Sequence, residues 1–112
     1  SIICAATPKE TFSYAQLRPT SVAMEPPELI GTGISVSKTK PEAITETVNL
    51  VRSTVPDVKI LCGAGITTGE DVSRAIELGT DGVLLASAVA KHPNPIKKLR
   101  ELAYGVLNIS KI

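Results

Sequence analysis

The sequence predicts an α/β fold of four parallel strands, each followed by a helix. A short apolar run, a stretch of glycine, proline and polar residues, and a segment of helical period recur four times along the 112 residues. The apolar runs are continuous, which is typical of parallel strands buried on both faces. A mass of 11.7 kDa fits one domain. We therefore expect residues 1–112 to form a single structural unit.

The first strand is predicted at residues 2–6. Thr7 followed by Pro8 is typical of an N-cap and the first turn of a helix. We expect a short helix whose inward residues are Phe12, Ala15 and Leu17.

The second strand is predicted at residues 21–24 and ends at Glu25, because Pro26 and Pro27 cannot continue a sheet ladder. A loop of about a dozen residues then leads to Pro41, which starts a helix that Pro56 ends. The apolar residues of this helix recur with a 3.6-residue period and predict one buried stripe. They are Ile44, Val48, Val51 and Val55.

The third strand is predicted at residues 58–62 and leads into Gly63-Ala64-Gly65. Thr67 and Glu70 have the spacing of a capping box, so we expect a helix from there through Leu78. Gly79 is then the expected C′ residue.

The fourth strand is predicted at residues 82–85, followed by the small residues Ala86, Ser87 and Ala88. Asn94 and Pro95 have the pattern of a cap and a first turn for the last helix. Its expected inward residues are Ile96, Leu99, Ala103 and Val106.

Composition excludes several classes of function. Twelve basic and eleven acidic residues give a net charge of +1, and only three residues are aromatic, so a nucleic-acid partner is not expected. No apolar run is long enough to cross a membrane, and the first residues lack the pattern of an export signal. Cys4 and Cys62 lie on strands that we expect to be separated by another strand, roughly 9–10 Å apart. This favours reduced thiols in a cytoplasmic protein.

Two topologies remain open at this stage: a small doubly wound sheet and half of an eight-stranded barrel. A dinucleotide-binding sheet would carry GxGxxG after its first strand. Gly63 and Gly65 instead follow the third strand, and the next glycine, Gly69, comes one position too late. Taken alone, this glycine-rich turn predicts only a tight connection.

Residues 23–33, AMEPPELIGTG, resemble the sixth strand and flexible loop of the triosephosphate isomerase family, above all its short archaeal branch. Residues 61–66 and 81–87 resemble the seventh and eighth strand ends of that family. The resemblance covers the whole chain, in order, and implies the C-terminal (βα)4 half of a TIM (βα)8 barrel, strands 5 to 8 with their helices. Segments like residues 61–66 and 81–87 recur across many phosphate-binding barrels. Residues 25–33 therefore carry the assignment.

The resemblance implies that Glu25 is the general base of an isomerase that interconverts glyceraldehyde 3-phosphate and dihydroxyacetone phosphate through an enediol, with no cofactor and no metal. A carboxylate at the carboxyl end of a barrel strand lies where such enzymes place catalytic groups, and this reaction is a standard example of the role. The lid loop is expected to combine a stiff proline end with an adaptable glycine tip. The lid runs from Pro26 to about Ser37, and its first part comprises Pro26, Pro27, Glu28, Leu29, Ile30, Gly31, Thr32 and Gly33.

The resemblance also implies that backbone N–H groups bind the substrate phosphate. They belong to Gly31, Gly65, Ala86 and Ser87. The commoner family pattern has a serine at Gly65 and two glycines at Ala86-Ser87. The resemblance therefore leaves open which contact holds the lid closed. For Ser87, the sequence supports phosphate binding and a helix N-cap equally.

The lysine and histidine of the family's active site belong to its first and fourth strands, which have no counterpart in this chain. His92 is expected to be a loop residue, and Lys38 and Lys40 to face solvent. We therefore expect the chain alone to have negligible activity and to pair with the first half of a barrel or with a second copy of itself. Two alternatives are a non-catalytic half-barrel that self-associates and half of another phosphate-binding barrel enzyme.

Overall fold

The computed structural model describes residues 1–107, which form a parallel sheet covered by helices. The strands are β1 (Ile2–Ala5), β2 (Ser21–Met24), β3 (Lys59–Gly63) and β4 (Gly82–Leu84). The helices are α1 (Pro8–Ala15), α2 (Val36–Thr39), α3 (Pro41–Thr54), α4 (Gly69–Glu77), α5 (Ser87–Ala90) and α6 (Pro95–Leu107). All four predicted strands are present, and the predicted boundaries differ by no more than one residue.

The sheet has the order β1-β2-β3-β4, and all neighbouring pairs are parallel. Cys4, Ala23, Leu61 and Gly82 lie in one register across it. Right-handed crossovers that always advance in the same direction place their helices on the same face. A doubly wound sheet reverses direction and has helices on both faces. The sequential order therefore confirms the half-barrel expectation.

The two faces of the sheet differ in burial at β1, whereas all four residues of β2 are buried. Val22, Met24, Ile60 and Cys62 point toward the helices and are at most 2% exposed. On the other face Ile2 is 53% exposed and the Cys4 thiol is also exposed. The prediction that β1 is buried on both faces is wrong for this chain, because residues 1–107 supply one helical layer, not two.

The first two long helices follow the predicted pattern with one exception. Thr7 caps α1, and its Oγ1 accepts a hydrogen bond from Glu10 N at 3.1 Å. Leu17 was expected to point inward but is 74% exposed, and the buried Thr11 takes the inward position. In α3 the predicted stripe faces the core, and the helix ends next to Pro56 as expected.

Helix α4 begins one residue later than predicted. Its N-cap is Thr68, whose Oγ1 accepts from Asp71 N at 3.1 Å, while the Asp71 carboxylate accepts from Thr68 N. The capping box is thus Thr68 with Asp71, not Thr67 with Glu70 as predicted. Gly79 follows the helix with φ of +109°, as expected of a C′ glycine.

Helix α6 has the predicted cap but a different inward face. Asn94 Oδ1 accepts from Lys97 N at 3.1 Å. Leu102 and Gly105 are the buried residues of this helix, because α4 crosses it at Gly69 and covers Gly105. The predicted inward stripe is wrong, since all four of its members are exposed: Ile96, Leu99, Ala103 and Val106.

None of the helices described between residues 1 and 107 is long and apolar enough to cross a membrane.

Candidate active site

Glu25 lies at the carboxyl end of β2, where a barrel would have its mouth. Its backbone N–H donates to Ala5 O at 2.7 Å, which extends the β1-β2 ladder by one residue. Because side chains alternate along a strand, Glu25 and Ala23 share the face opposite the helices. The half-buried carboxylate is therefore on the face that would become the interior of a barrel.

The side chain of Glu25 lies across Gly63 on the neighbouring strand. A Cβ atom built on Gly63 would be 2.5 Å from Glu25 Cγ and 2.8 Å from its Oε2. Only a residue without a side chain leaves this space to the carboxylate. Sequence reasoning gave Gly63 no role beyond a tight turn, because the contact joins two strands and has no local signal.

The tip of the lid loop is a compact turn. Thr32 Oγ1 donates to Leu29 O at 2.7 Å and accepts from Ile34 N at 3.0 Å. Gly31 and Gly33 both have φ of +76°, a conformation that strongly favours glycine. Leu29 is 7% exposed and belongs to the core. One end of the lid is thus anchored while its tip is open to solvent.

The carboxyl-terminal end of the lid lies against the loop after β3. Val36, which is completely buried, donates from its N–H to Ala64 O at 3.2 Å. A Cβ atom on Gly65 would lie 1.8 Å from the carbonyl oxygen of Ile34. The backbone hydrogen bond of Val36 with Ala64 thus joins this end of the lid to the loop after β3.

The loop after β3 has an unusual backbone at its centre. Ala64 has φ of +81° and is buried, and Gly65 follows with φ of +71°. A left-handed conformation is uncommon for a residue with a Cβ and costs of order 1–3 kcal/mol. Such strain is typical of functional sites.

A buried carboxylate supports this loop from below. Asp71 Oδ2 accepts from Thr67 N at 3.0 Å and from Thr68 N at 3.1 Å. Burial alone raises the pKa of Asp71, but these hydrogen bonds and the Lys38 charge bring it below its ordinary value. Lys38 Nζ lies 3.4 Å from Asp71 Oδ1. The pattern Thr68-x-x-Asp71 could have revealed this residue.

Lys38 is exposed, as predicted, and the Lys40 side chain is 40% exposed. Lys40 also forms an ion pair with Glu28, near the start of the lid. The pair of Lys38 with Asp71 joins the segment after the lid to α4, and the pair of Lys40 with Glu28 joins that segment to the start of the lid. The exposed pair of Lys40 with Glu28 contributes little to stability, whereas the carboxylate that Lys38 contacts is itself buried.

One cavity of about 370 Å³ brings the predicted site residues together. Helix α5 begins at Ser87, and the N-cap position belongs to Ala86, so the N-cap role considered for Ser87 is wrong. The first N–H groups of a helix have no partner within it and suit an anion. The predicted residues that line the cavity are Glu25, Ile30, Gly31, Gly33, Gly65, Ala86 and Ser87.

The other reactive side chains lie apart from this cavity or have a structural explanation. His92 Nδ1 accepts from Asn94 N at 2.9 Å in the loop before α6. Burial raises the pKa of the Cys62 thiol to about 12, and nearby Asp71 and Glu25 charges add to the shift. Between residues 1 and 107 there is no group of three or more His, Cys, Asp and Glu side chains that could hold a metal ion.

Comparison with known proteins gives a consistent family. The family model described as "Triosephosphate isomerase" matches residues 4–103. The curated triosephosphate isomerase of Methanothermus fervidus is 54% identical over 102 residues, which are 91% of this chain and 46% of that protein. That of Sulfolobus acidocaldarius is 54% identical over 107 residues, 96% of this chain and 46% of that protein. The chain thus spans about half the length of these relatives.

Solved structures share the fold at low sequence identity. The Amycolatopsis orientalis BexX/CysO complex contains a chain with a TM-score of 0.70 and 16% identity, over 95% of this chain and 40% of that chain. A structure titled "Native KDPGal structure" has a TM-score of 0.61 and 17% identity, over 95% of this chain and 46% of that chain. These similarities concern the fold alone.

Proposed function

Since the chain belongs to the triosephosphate isomerase family, we propose that it supplies the base, the lid and the phosphate-binding loops for interconversion of glyceraldehyde 3-phosphate and dihydroxyacetone phosphate. One observation supports this most strongly. Glu25, the glycine tip of the lid, Gly65 and the start of α5 all line one cavity at the carboxyl ends of the strands. Barrel enzymes have their active sites at this end.

Glu25 acts as the base in this proposal. Its carboxylate takes a proton from the carbon next to the substrate carbonyl; the electron pair of that C–H bond forms the C=C double bond, while the carbonyl π pair moves onto its oxygen, which is protonated to give the enediol. The same carboxyl group then returns the proton to the former carbonyl carbon, as the hydroxyl on the other carbon loses its proton and becomes the new carbonyl. A base for this step needs to be within hydrogen-bond reach of the proton it moves, and the cavity gives Glu25 a side open to a ligand.

Backbone N–H groups bind the phosphate in this proposal. Helix α5 starts in the cavity at Ser87, and Gly31 and Gly65 line the cavity from the lid and from the loop after β3. Partial positive charge at a helix start favours an anion there. Closure of the lid over the phosphate then excludes water, which protects the enediol from losing its phosphate.

We further propose that this chain acts together with another chain segment. The exposed sheet face at Ile2 and Cys4 and the exposed stripe of α6 form surfaces that the first half of a barrel, or a second copy of this chain, would bury. The family's lysine and histidine would come from that first half. By itself, the chain is expected to have negligible isomerase activity.

The test is a chimera in which this chain replaces the matched segment of the Methanothermus fervidus relative. We expect the chimera to isomerise triose phosphates in a coupled assay, and the chain alone to show negligible turnover. A folded chimera without activity would contradict the proposal and favour a non-catalytic half-barrel.

Glu25→Gln in the same chimera provides the matched control for the base. The amide keeps the size of the side chain but cannot take a proton, so turnover should fall at least 100-fold. Binding of a phosphate-bearing substrate analogue should change little, because Glu25 makes no phosphate contact in this proposal. Turnover near that of the unsubstituted chimera would rule out Glu25 as the base.

A further inference from the structure

The contact between Glu25 and Gly63 is closer than any side chain at position 63 would permit. The three atoms nearest to a Cβ built on Gly63 all belong to Glu25: Cγ at 2.5 Å, Oε2 at 2.8 Å and Cδ at 2.9 Å. Real Cβ atoms essentially never approach other atoms below 3.0 Å. The Glu25 side chain therefore occupies the volume in which every other residue type has its Cβ.

We propose that Gly63 is a positioning residue, whose missing side chain keeps the Glu25 carboxylate on the β3 side of its strand, within the cavity. This inference rests on the proposed role of Glu25 as the base. Gly63 has no positive φ that would require glycine for the backbone. Glycine is therefore required at position 63 by the atoms packed around it, and the nearest of these belong to the Glu25 side chain.

Gly82 on β4 provides a matched comparison. Gly82 and Gly63 lie on the same face of the sheet, opposite the helices. Gly82 pairs with Leu61 and Gly63 pairs with Leu84, and every second residue of a strand is on the same face. A Cβ on Gly82 would meet only the flexible end of Leu61, at 3.2 Å from Cδ2. Replacement of Gly82 by alanine therefore adds the same methyl group to the same sheet face without displacing Glu25.

Cys4 provides an independent measure of where the carboxylate lies. Partial burial raises the pKa of its thiol, and a hydrogen bond to Glu25 and the charge of Glu25 raise it further. Cys4 is on β1, on the side of Glu25 away from β3. A methyl group at Gly63 should push the carboxylate away from β3 and so change the pKa of the Cys4 thiol.

The test is a double-mutant cycle in the full 112-residue chain, followed by thermal unfolding. Gly63→Ala should lower the melting temperature when Glu25 is present, and should leave it unchanged or raise it when Glu25 is replaced by alanine. Gly82→Ala should give the same small effect in both backgrounds. An equal loss from Gly63→Ala in both backgrounds would overturn the proposal, because the cost would then not come from Glu25.

Titration of the Cys4 thiol adds a measurement that a general loss of stability does not change. The pH dependence of Cys4 alkylation should shift in Gly63→Ala and stay as in the original chain in Gly82→Ala. In the active chimera, Gly63→Ala should lower kcat about 100-fold with little change in KM, since misplacement of a base by about 1 Å has effects of that size. An unchanged Cys4 titration or an unchanged kcat in a folded variant would overturn the proposal. Neither the cycle nor the titration uses activity, so failure of the isomerase proposal remains distinguishable from failure of this one.

Discussion

The carbonyl oxygen of Ile34 lies over the Cα atom of Gly65, so close that a Cβ there would be 1.8 Å from it. Ile34 belongs to the end of the lid and Gly65 to the loop after β3. The resemblance implies that a serine is commoner at this position in the family. In this chain the two backbones instead pack directly on each other, and Val36 N donates to Ala64 O beside them. The lid conformation seen here thus depends on glycine at position 65.

Replacement of Gly65 by alanine should therefore displace the end of the lid. In the chimera we expect binding of a phosphate-bearing substrate analogue to weaken by at least tenfold, measured by titration calorimetry. Gly33→Ala is the control, because Gly33 has nearly the same φ, +76° against +71°, but has open space around it. The control carries the backbone strain without the clash. Equal losses from the two variants would contradict a role for the Ile34 contact.

Asp71 should make stability depend on pH at the acid end. Because its pKa in the folded chain lies below the unfolded value of 3.8, ionised Asp71 stabilises the fold above that value. This contribution is lost as the pH falls from the unfolded value through the lower, folded one. Asp71→Asn should cost about 1–3 kcal/mol at neutral pH and flatten the acid limb of the stability curve.

Urea unfolding between pH 2 and pH 7 measures both effects. Glu70→Gln is the matched control, since it removes the same charge from the preceding residue, whose side chain is 81% exposed. We expect that control to stay within about 0.5 kcal/mol of the original chain. If the free energy of unfolding of Asp71→Asn fell toward acid pH as steeply as that of the original chain, Asp71 would be excluded as the cause of this fall.

The two cysteines should differ sharply in reactivity. Cys4 is exposed, whereas Cys62 is 1% exposed and burial raises its pKa to about 12. The thiolate is the reactive form, so the native chain should take up one equivalent of iodoacetamide, on Cys4, and the unfolded chain two. Peptide mass spectrometry identifies the labelled residue. Rapid labelling of Cys62 in the native chain would contradict the packing of the core.

The local signals of the sequence predicted most of this fold. Continuous apolar runs and the turns around Pro26, Pro41 and Gly79 are features of neighbouring residues, so the four strands and the long helices follow from them. The family resemblance drew attention to Glu25 and the lid. Both kinds of evidence depend on residues close together in the chain.

Contacts between distant segments account for what the sequence did not predict. The inward face of α6 depends on its crossing with α4, where Gly69 meets Gly105. The role of Gly63 depends on a side chain one strand away, and the burial of Asp71 depends on packing of α2 against α4. Such pairings leave no period or motif in a single sequence. The helical spacing of the apolar residues in α6 therefore predicted the wrong inward face.

The α4-α6 crossing should not tolerate a side chain at Gly105. A Cβ there would lie 2.2 Å from the carbonyl oxygen of Gly69. Gly→Ala in a helix is normally stabilising by about 1 kcal/mol, but Gly105→Ala should destabilise by about 1–3 kcal/mol through overpacking. Ala103→Gly, at an exposed position of the same helix, measures the propensity effect alone. Stabilisation by Gly105→Ala in urea unfolding would show that the helices can separate at no cost.

The final prediction concerns association of the chain. Leu99 and Val106 are 58% and 50% exposed and line a groove with Leu84 and Leu85, beside the uncovered sheet face. Apolar surface of this extent favours burial against a partner. We expect sedimentation velocity to show concentration-dependent self-association, weakened by Leu99→Lys. Ile30→Lys adds the same charge on the lid, where the side chain is 55% exposed, and should leave association unchanged. A monomer at every concentration, or equal effects of both variants, would rule out α6 as the contact surface.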